Sequence, residues 1–309
     1  YTYAAVVGYE NATMEGYTKW LKDNNKLEWF EQAQLIVDAW LKDNSLSTNN
    51  GKFDTVAGVT ISDALYLDTL NKLKAYTESN RVYKADGTYL AYDFVTGKGS
   101  PEMVFVKVVV RDDEVVDIII DTIQGTDGKF NAQSKRELGY DYKMHYYTYA
   151  GIVGYENATM EGYTRWLKEN NKLEWFEQMD VLADYILKNG VDSVVVNENN
   201  KFENVAGVTV SNYDYIDLVK EAIQNAKEGK LIALTPTGAD LVIATGYVNS
   251  DGELEEVVLD MLQGKVDSTS NNFVWNELTK NELGYEYKMH YYTYAAVVGY
   301  ENATMEGYT

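Results

Sequence analysis

Two short stretches hold the residues best suited to do chemistry. Lys52-Phe53-Asp54-Thr55-Val56-Ala57-Gly58-Val59-Thr60-Ile61-Ser62 recurs as Lys201-Phe202-Glu203-Asn204-Val205-Ala206-Gly207-Val208-Thr209-Val210-Ser211. In each, a glycine (Gly58, Gly207) leads to a threonine (Thr60, Thr209), then to a serine (Ser62, Ser211) and an amphipathic run of helical period. Glycine permits a positive φ or the close approach of a ligand, and the serine is a predicted N-cap. On that reading the Thr hydroxyl sits just outside a helix N-terminus, where free N–H groups and the helix dipole favour an anion such as phosphate. The bland alternative is a strand-to-helix turn that holds no ligand.

The elements around these loops follow from periodicity. Before the first loop, Trp29, Ala33, Ile36, Val37, Trp40 and Leu41 fall on one face at helical spacing, and Trp175, Met179, Leu182, Ala183, Ile186 and Leu187 repeat the pattern. After the loops a second helix is predicted, with Leu67, Leu70 and Leu73 in one copy and Tyr215, Leu218, Val219, Ala222, Ile223 and Ala226 in the other. From about Asn80 the pattern turns to strands, over residues 87–92, 103–110 and 115–120, with a charged turn at Arg111 to Glu114. Residues 241–248 and 254–262 repeat this around Asn249-Ser250-Asp251-Gly252, whose Asp-Gly is the stronger hairpin signal. Hairpin-built sheets with helices on one face predict an α+β fold.

Tyr1 to Thr18, Tyr147 to Thr164 and Tyr292 to Thr309 are one segment written three times, the first and last identical. The spacing exceeds that of solenoid repeats and suits one domain per repeat, so the chain reads as a tandem array. The Tyr-rich segments are read as packing surface rather than a conducting aromatic chain. Asn11, Asn157 and Asn302 lie in Asn-Ala-Thr, the N-glycosylation pattern, read here as coincidence.

Composition narrows the function classes. The chain has 309 residues, 45% hydrophobic and 24% charged, which is room for about two ordinary domains. A net charge of −21 argues against nucleic acid or anionic lipid as partners. No apolar run is long enough to span a bilayer. Zero cysteines excludes disulfides, thiolate metal sites, iron–sulfur clusters and c-type haem attachment. His145 and His290 are the two histidines, too few for a histidine-rich metal site, and no metal is expected. An electron carrier with this composition needs an organic cofactor.

At the Gly-Val-Thr loops the sequence resembles the bacterial FMN-binding domain family, in which an Asp-x-x-Ser-Gly-Ala-Thr type motif carries FMN. The copies differ in that Ala57 and Ala206 stand for the usual Ser, Val59 and Val208 for the usual Ala, and Glu203 for the acidic Asp kept at Asp54. The order of motifs is also similar: a sheet, a Leu-Gly-Tyr-x-Tyr-x-Met element at 138–144 and 283–289, a Trp-Phe-Glu-Gln helix, then the loop. This resemblance implies FMN joined through its phosphate to Thr60 and Thr209 by a flavin transferase. It implies Trp175, Met144 and their counterparts Trp29 and Met289 packed on the isoalloxazine. Lys143 would set positive charge near reduced flavin, Glu177 and Gln178 would hydrogen-bond the ring edge, and Glu203 would orient the loop or hold a metal during attachment. Core packing, for the tryptophans, and a solvated surface, for the charged residues, stay open as alternatives. The histidines are assigned no chemistry.

The family's order places a complete domain at 81–229, the back half of a preceding domain at 1–80 and the front half of a following one at 230–309. Residues 1–80 are expected to be completed by strands from upstream sequence or from a neighbouring copy, giving a head-to-tail array. The function implied is a secreted or cell-surface electron carrier, handing electrons to redox partners and along neighbouring repeats. A flavin-dependent reductase of a small acceptor is a second reading, distinguished by saturable turnover with one acceptor class. A structural surface repeat without flavin is a third, excluded by yellow colour.

Overall fold

Amphipathic helices open the described part of the chain. They are α1 (Met14–Asp23), α2 (Trp29–Lys42) and α3 (Tyr66–Glu78). The Thr13 hydroxyl caps α1 by accepting the Gly16 N–H at 3.2 Å. The stretch that follows is dense in valine and isoleucine and pairs as antiparallel strands: β1 (Gly87–Phe94), β2 (Glu102–Arg111), β3 (Glu114–Thr126) and a short β4 (Lys129–Phe130), in that order across the sheet. Val104, Val106, Val108 and Val110 of β2 point inward in alternation, as a sheet buried on one face requires. The computed structural model describes residues 6, 13–42, 46–63, 65–78, 86–112, 114–249, 252–299 and 301–305.

Next come α4 (Lys135–Leu138), a 3₁₀ turn at Gly139–Tyr142, α5 (Tyr146–Val153), α6 (Met160–Glu169), α7 (Trp175–Asn189) and α8 (Tyr215–Glu228). Helix α7 lies on β3 and α8 on β1 and β2. Their stripes Trp175, Met179, Leu182, Ile186 and Tyr215, Leu218, Val219, Ala222 bury against Tyr89, Val106 and Ile120 in one core. The helical faces are therefore those the spacing predicts, except at Leu41 and Leu187. These positions, at the margin of each stripe, are 45% and 37% exposed.

A second antiparallel sheet follows, β5 (Lys230–Thr237), β6 (Asp240–Val248) and β7 (Leu254–Leu262), with a small β8 (Gly264–Val266) and β9 (Phe273–Trp275) pair, then α9 (Lys280–Leu283), a 3₁₀ turn at Gly284–Tyr287 and α10 (Tyr291–Val298). Residues 250 and 251 of the predicted Asp-Gly turn lie outside the described residues. The Asn249 N–H donates to the Glu253 carbonyl at 2.9 Å across that loop. The architecture is thus α+β.

The second sheet is covered by helices from the other end of the sequence. Helix α2 packs on β7, α3 on β5 and β6, and α1 on α10. Segments 13–78 and 230–298 together make one unit, in which helices α1 to α3 stand where α6, α7 and α8 stand in the middle unit. Strands from upstream sequence or from a neighbouring copy are expected in this role; in the structure the strands that cover segment 13–78 are this chain's own β5–β7. The two units share a broad face: β1 packs on β5, α3 on β1 and α8 on β5, the Phe130 N–H donates to the Gly238 carbonyl at 2.8 Å, and the Trp275 ring lies 4.2 Å from Phe94 and 5.8 Å from Phe130 between centroids.

His290 ties the two segments of the composite unit, its Nε2 lying 3.3 Å from the Leu27 carbonyl oxygen. Burial holds its pKa below the ordinary 6.5. The unfolded chain therefore takes up a proton below pH 6.5 that the folded ring resists, and folding stability is lost as pH falls through that window. The composite unit is expected to melt at lower temperature in mildly acid than in neutral buffer, with a weaker pH dependence in His290→Gln. Equal pH dependence in the two proteins would exclude this role.

Candidate functional site

Each Gly-Val-Thr loop is drawn closed by backbone bridges, Lys52 to Ser62 in the first copy and Lys201 to Ser211 in the second. Gly58 and Gly207 have φ of +89° and +92°, a backbone only glycine adopts readily. A side chain at Gly58 would also press on Leu27 and Leu35, both 3.2 Å from its Cβ position.

One glutamine holds the threonine end of each loop. Gln178, 1% exposed, offers its Oε1 to the Thr209 N–H at 2.7 Å, the Thr209 hydroxyl at 3.2 Å and the Val210 N–H at 3.2 Å. Its Nε2 donates to the Leu173 carbonyl at 3.0 Å and lies 3.5 Å from the Met144 sulfur. Gln32 repeats the arrangement on Thr60 and Ile61 at 2.6, 3.3 and 3.1 Å, with its Nε2 on the Leu27 carbonyl at 2.8 Å. Both threonines remain exposed as residues, on a loop fixed from beneath by the glutamine that their hydroxyls donate to.

The helix-terminus reading needs correcting. Helices α3 and α8 begin at Tyr66 and Tyr215, several residues past Ser62 and Ser211, so neither serine is an N-cap. The bridges to Lys52 and Lys201 keep both serines extended, and Leu65 (φ 68°) and Asp214 (φ 60°) turn the chain before the helix starts. Asp63 and Asn212 instead accept first-turn N–H groups, from Leu67 and Ile216, each at 3.3 Å. The N–H groups beside each threonine belong to a glutamine and are not open to an anion.

Trp29 and Trp175 lie in the core, each 3% exposed. The Trp29 indole N–H donates to the Tyr66 hydroxyl at 3.3 Å. Beneath them sit two buried lysines that periodicity does not single out. The Lys135 ammonium is 5.4 Å from the Trp175 ring and 5.2 Å from Tyr142, while Lys280 is 5.2 Å from Trp29 and 4.8 Å from Tyr287. Lys135 pairs with Glu102 at 3.5 Å. Burial lowers the pKa of both lysines. Their signal in the sequence is a capping box, Ser134 with Glu137 and Thr279 with Glu282, that turns the adjoining lysine inward.

Glu177 closes the capping box of α7, accepting the Glu174 N–H at 2.7 Å, and takes the Tyr140 hydroxyl at 2.8 Å. Glu174, fully buried, accepts from the Tyr163 hydroxyl, the Met144 N–H at 2.8 Å and the Trp175 N–H at 2.9 Å. It is the residue that joins the Leu-Gly-Tyr-x-Tyr-x-Met element to the helix, and only its recurrence as Glu28 marks it in the sequence. Met144 and Met289 are half-buried against the core. Lys143 is exposed, its ammonium 5.2 Å from the Tyr146 ring. Asp54 accepts from the Asn49 side chain at 3.3 Å, and Glu203 is exposed. Among the described residues no cluster of acids and histidines could hold a metal ion.

A groove of about 390 Å³ runs beside the second loop, with Gly207, Leu173, Tyr140 and Leu167 as walls and Lys168 and Lys172 at its rim. It places apolar and aromatic surface next to two cations and the Glu177 carboxylate, in a chain of net charge −21. Such a lining suits a planar apolar ring that carries a negative group. Tyr140 and the leucines line this groove, and Trp175 does not.

The class the geometry defines is an α+β protein with a twice-built threonine loop. No protein-family model and no curated protein matches the chain. A solution NMR structure of a protein from Clostridium thermocellum is 20% identical, covering 46% of this chain and 92% of its own, with a TM-score of 0.28. That likeness carries no argument. Among the described residues no helix is long and apolar enough to cross a membrane.

Proposed function

We propose that the protein is an electron carrier holding FMN covalently on Thr60 and Thr209. One observation carries the reading: an exposed threonine whose hydroxyl is held by a buried glutamine, on a loop with a glycine near φ +90°, built twice with the same hydrogen bonds. An exposed threonine suits modification by a separate transferase, and a rigid loop suits a tether that must fix its cargo.

FMN supplies one- and two-electron chemistry when bound. The chain's own residues do the positioning. Gln178 holds the Thr209 backbone and hydroxyl, so the tether starts from one place. Leu167, Leu173 and Tyr140 exclude water from one side of the groove, and Lys168 and Lys172 favour negative charge at its rim. Glu177 holds the Tyr140 hydroxyl and so sets that wall. A cell-surface location, a maturing transferase and redox partners belong to the same reading. Intact mass spectrometry of the native protein tests it: two FMN increments above 35.0 kDa are expected, and an unmodified, colourless chain would overturn it.

A further inference from the structure

The contacts that close the composite unit are those the middle unit makes inside one continuous segment. In the middle unit, His145 Nε2 meets the Leu173 carbonyl at 3.2 Å, Phe176 meets Tyr140 at 5.3 Å and Tyr163 meets Tyr149 at 5.9 Å. In the composite unit, His290 meets Leu27 at 3.3 Å, Phe30 meets Tyr285 at 5.2 Å and Tyr17 meets Tyr294 at 5.3 Å. The partners in the second set are far apart in sequence and joined covalently only through the middle unit. Thr69 donates to Thr235 at 2.6 Å across the same seam, and Lys72 donates to Thr235 at 3.1 Å.

We infer that this seam is an exchangeable interface whose alternative occupant is a second copy of this chain. Segment 13–78 of one copy docks on β5–β7, α9 and α10 of the next. Every contact across the seam is non-covalent, so the same pairs form whether the two segments come from one copy or two. The faces are different on the two sides, one helical and one sheet-based, so the joint is heterologous and its repetition grows a head-to-tail assembly, open or closed into a ring. Closure within one copy competes with joining between copies through the effective concentration of the tethered segment. Joining therefore rises with protein concentration and with refolding at high concentration.

The consequence reaches the candidate site. Thr60, Gln32 and Trp29 come from one side of the seam, while Lys280, Tyr287 and Met289 come from the other. In a joined assembly the Thr60 site is built by two copies, while the Thr209 site stays within one. The inference does not require flavin at either threonine.

Because the chain has no cysteine, thiols can be placed at will. One preparation carries Thr69→Cys and a second carries Thr235→Cys; they are unfolded, refolded together at high concentration and oxidised. The expected product is a disulfide-linked species of twice the 35.0 kDa chain, at least about tenfold above either preparation refolded alone. A mixture that links no more than the single variants, while the double variant closes within one chain, would overturn the inference. Light scattering on the unaltered chain reads the same point without thiols. Mass that climbs in steps of 35.0 kDa supports exchange, and a constant 35.0 kDa through the mM range refutes it.

Discussion

On the proposed function, Thr209→Ala is expected to lose one of two covalent flavins and to leave the fold intact. The residue is exposed and its hydroxyl donates to Gln178 at 3.2 Å, a bond whose loss costs about 1 kcal/mol. The Gln178 carbonyl keeps the N–H groups of Thr209 and Val210 at 2.7 and 3.2 Å, so the loop holds its shape without the hydroxyl. What the alanine lacks is the oxygen that forms the phosphoester. Flavin fluorescence that survives denaturation should then map to the peptide containing Thr60 and vanish from the peptide containing residue 209. Thr60→Ala should do the reverse, and the double variant should be colourless. Covalent flavin on the second loop of Thr209→Ala would show that another residue is the acceptor.

The largest effect on stability belongs to Trp175→Ala. A buried tryptophan at 3% exposure, truncated to alanine, leaves a cavity that costs about 3 to 5 kcal/mol. The same change takes away one of the two rings flanking the Lys135 ammonium. The middle unit should unfold at clearly lower denaturant, while the flavin spectrum of the remaining folded protein stays as it was. Trp29→Ala should do the same to the composite unit. A loss under about 1 kcal/mol joined to a shifted flavin absorbance would restore these tryptophans as ring contacts.

The helical stripes of α2 and α7, the valine-rich strands and the α+β class could be read from the residues because each follows from a period that burial enforces. The start of α8 could not. Ser211 has the chemistry of an N-cap, but the bridge to Lys201 claims its backbone first, and a non-local pairing leaves no trace in a local pattern. The family resemblance implies Gln178 at the edge of a flavin ring. Its use is internal, as the shared acceptor of the loop. Which sheet receives α2 and α3 was also beyond a periodic reading, since periodicity marks a face as apolar without naming the surface that covers it.

The seam between segments 13–78 and 230–298 also fixes how the molecule carries load. Tension applied near Thr13 and Met305 enters the composite unit at both points, and the covalent path between them runs through the middle unit. While the seam holds, force crosses α1 on α10 and the helices on β5–β7, and the middle unit is shielded. Once it parts, the middle unit becomes the link in series between the two points. The chain is in that sense a buckle, with a slack loop that is itself a folded domain.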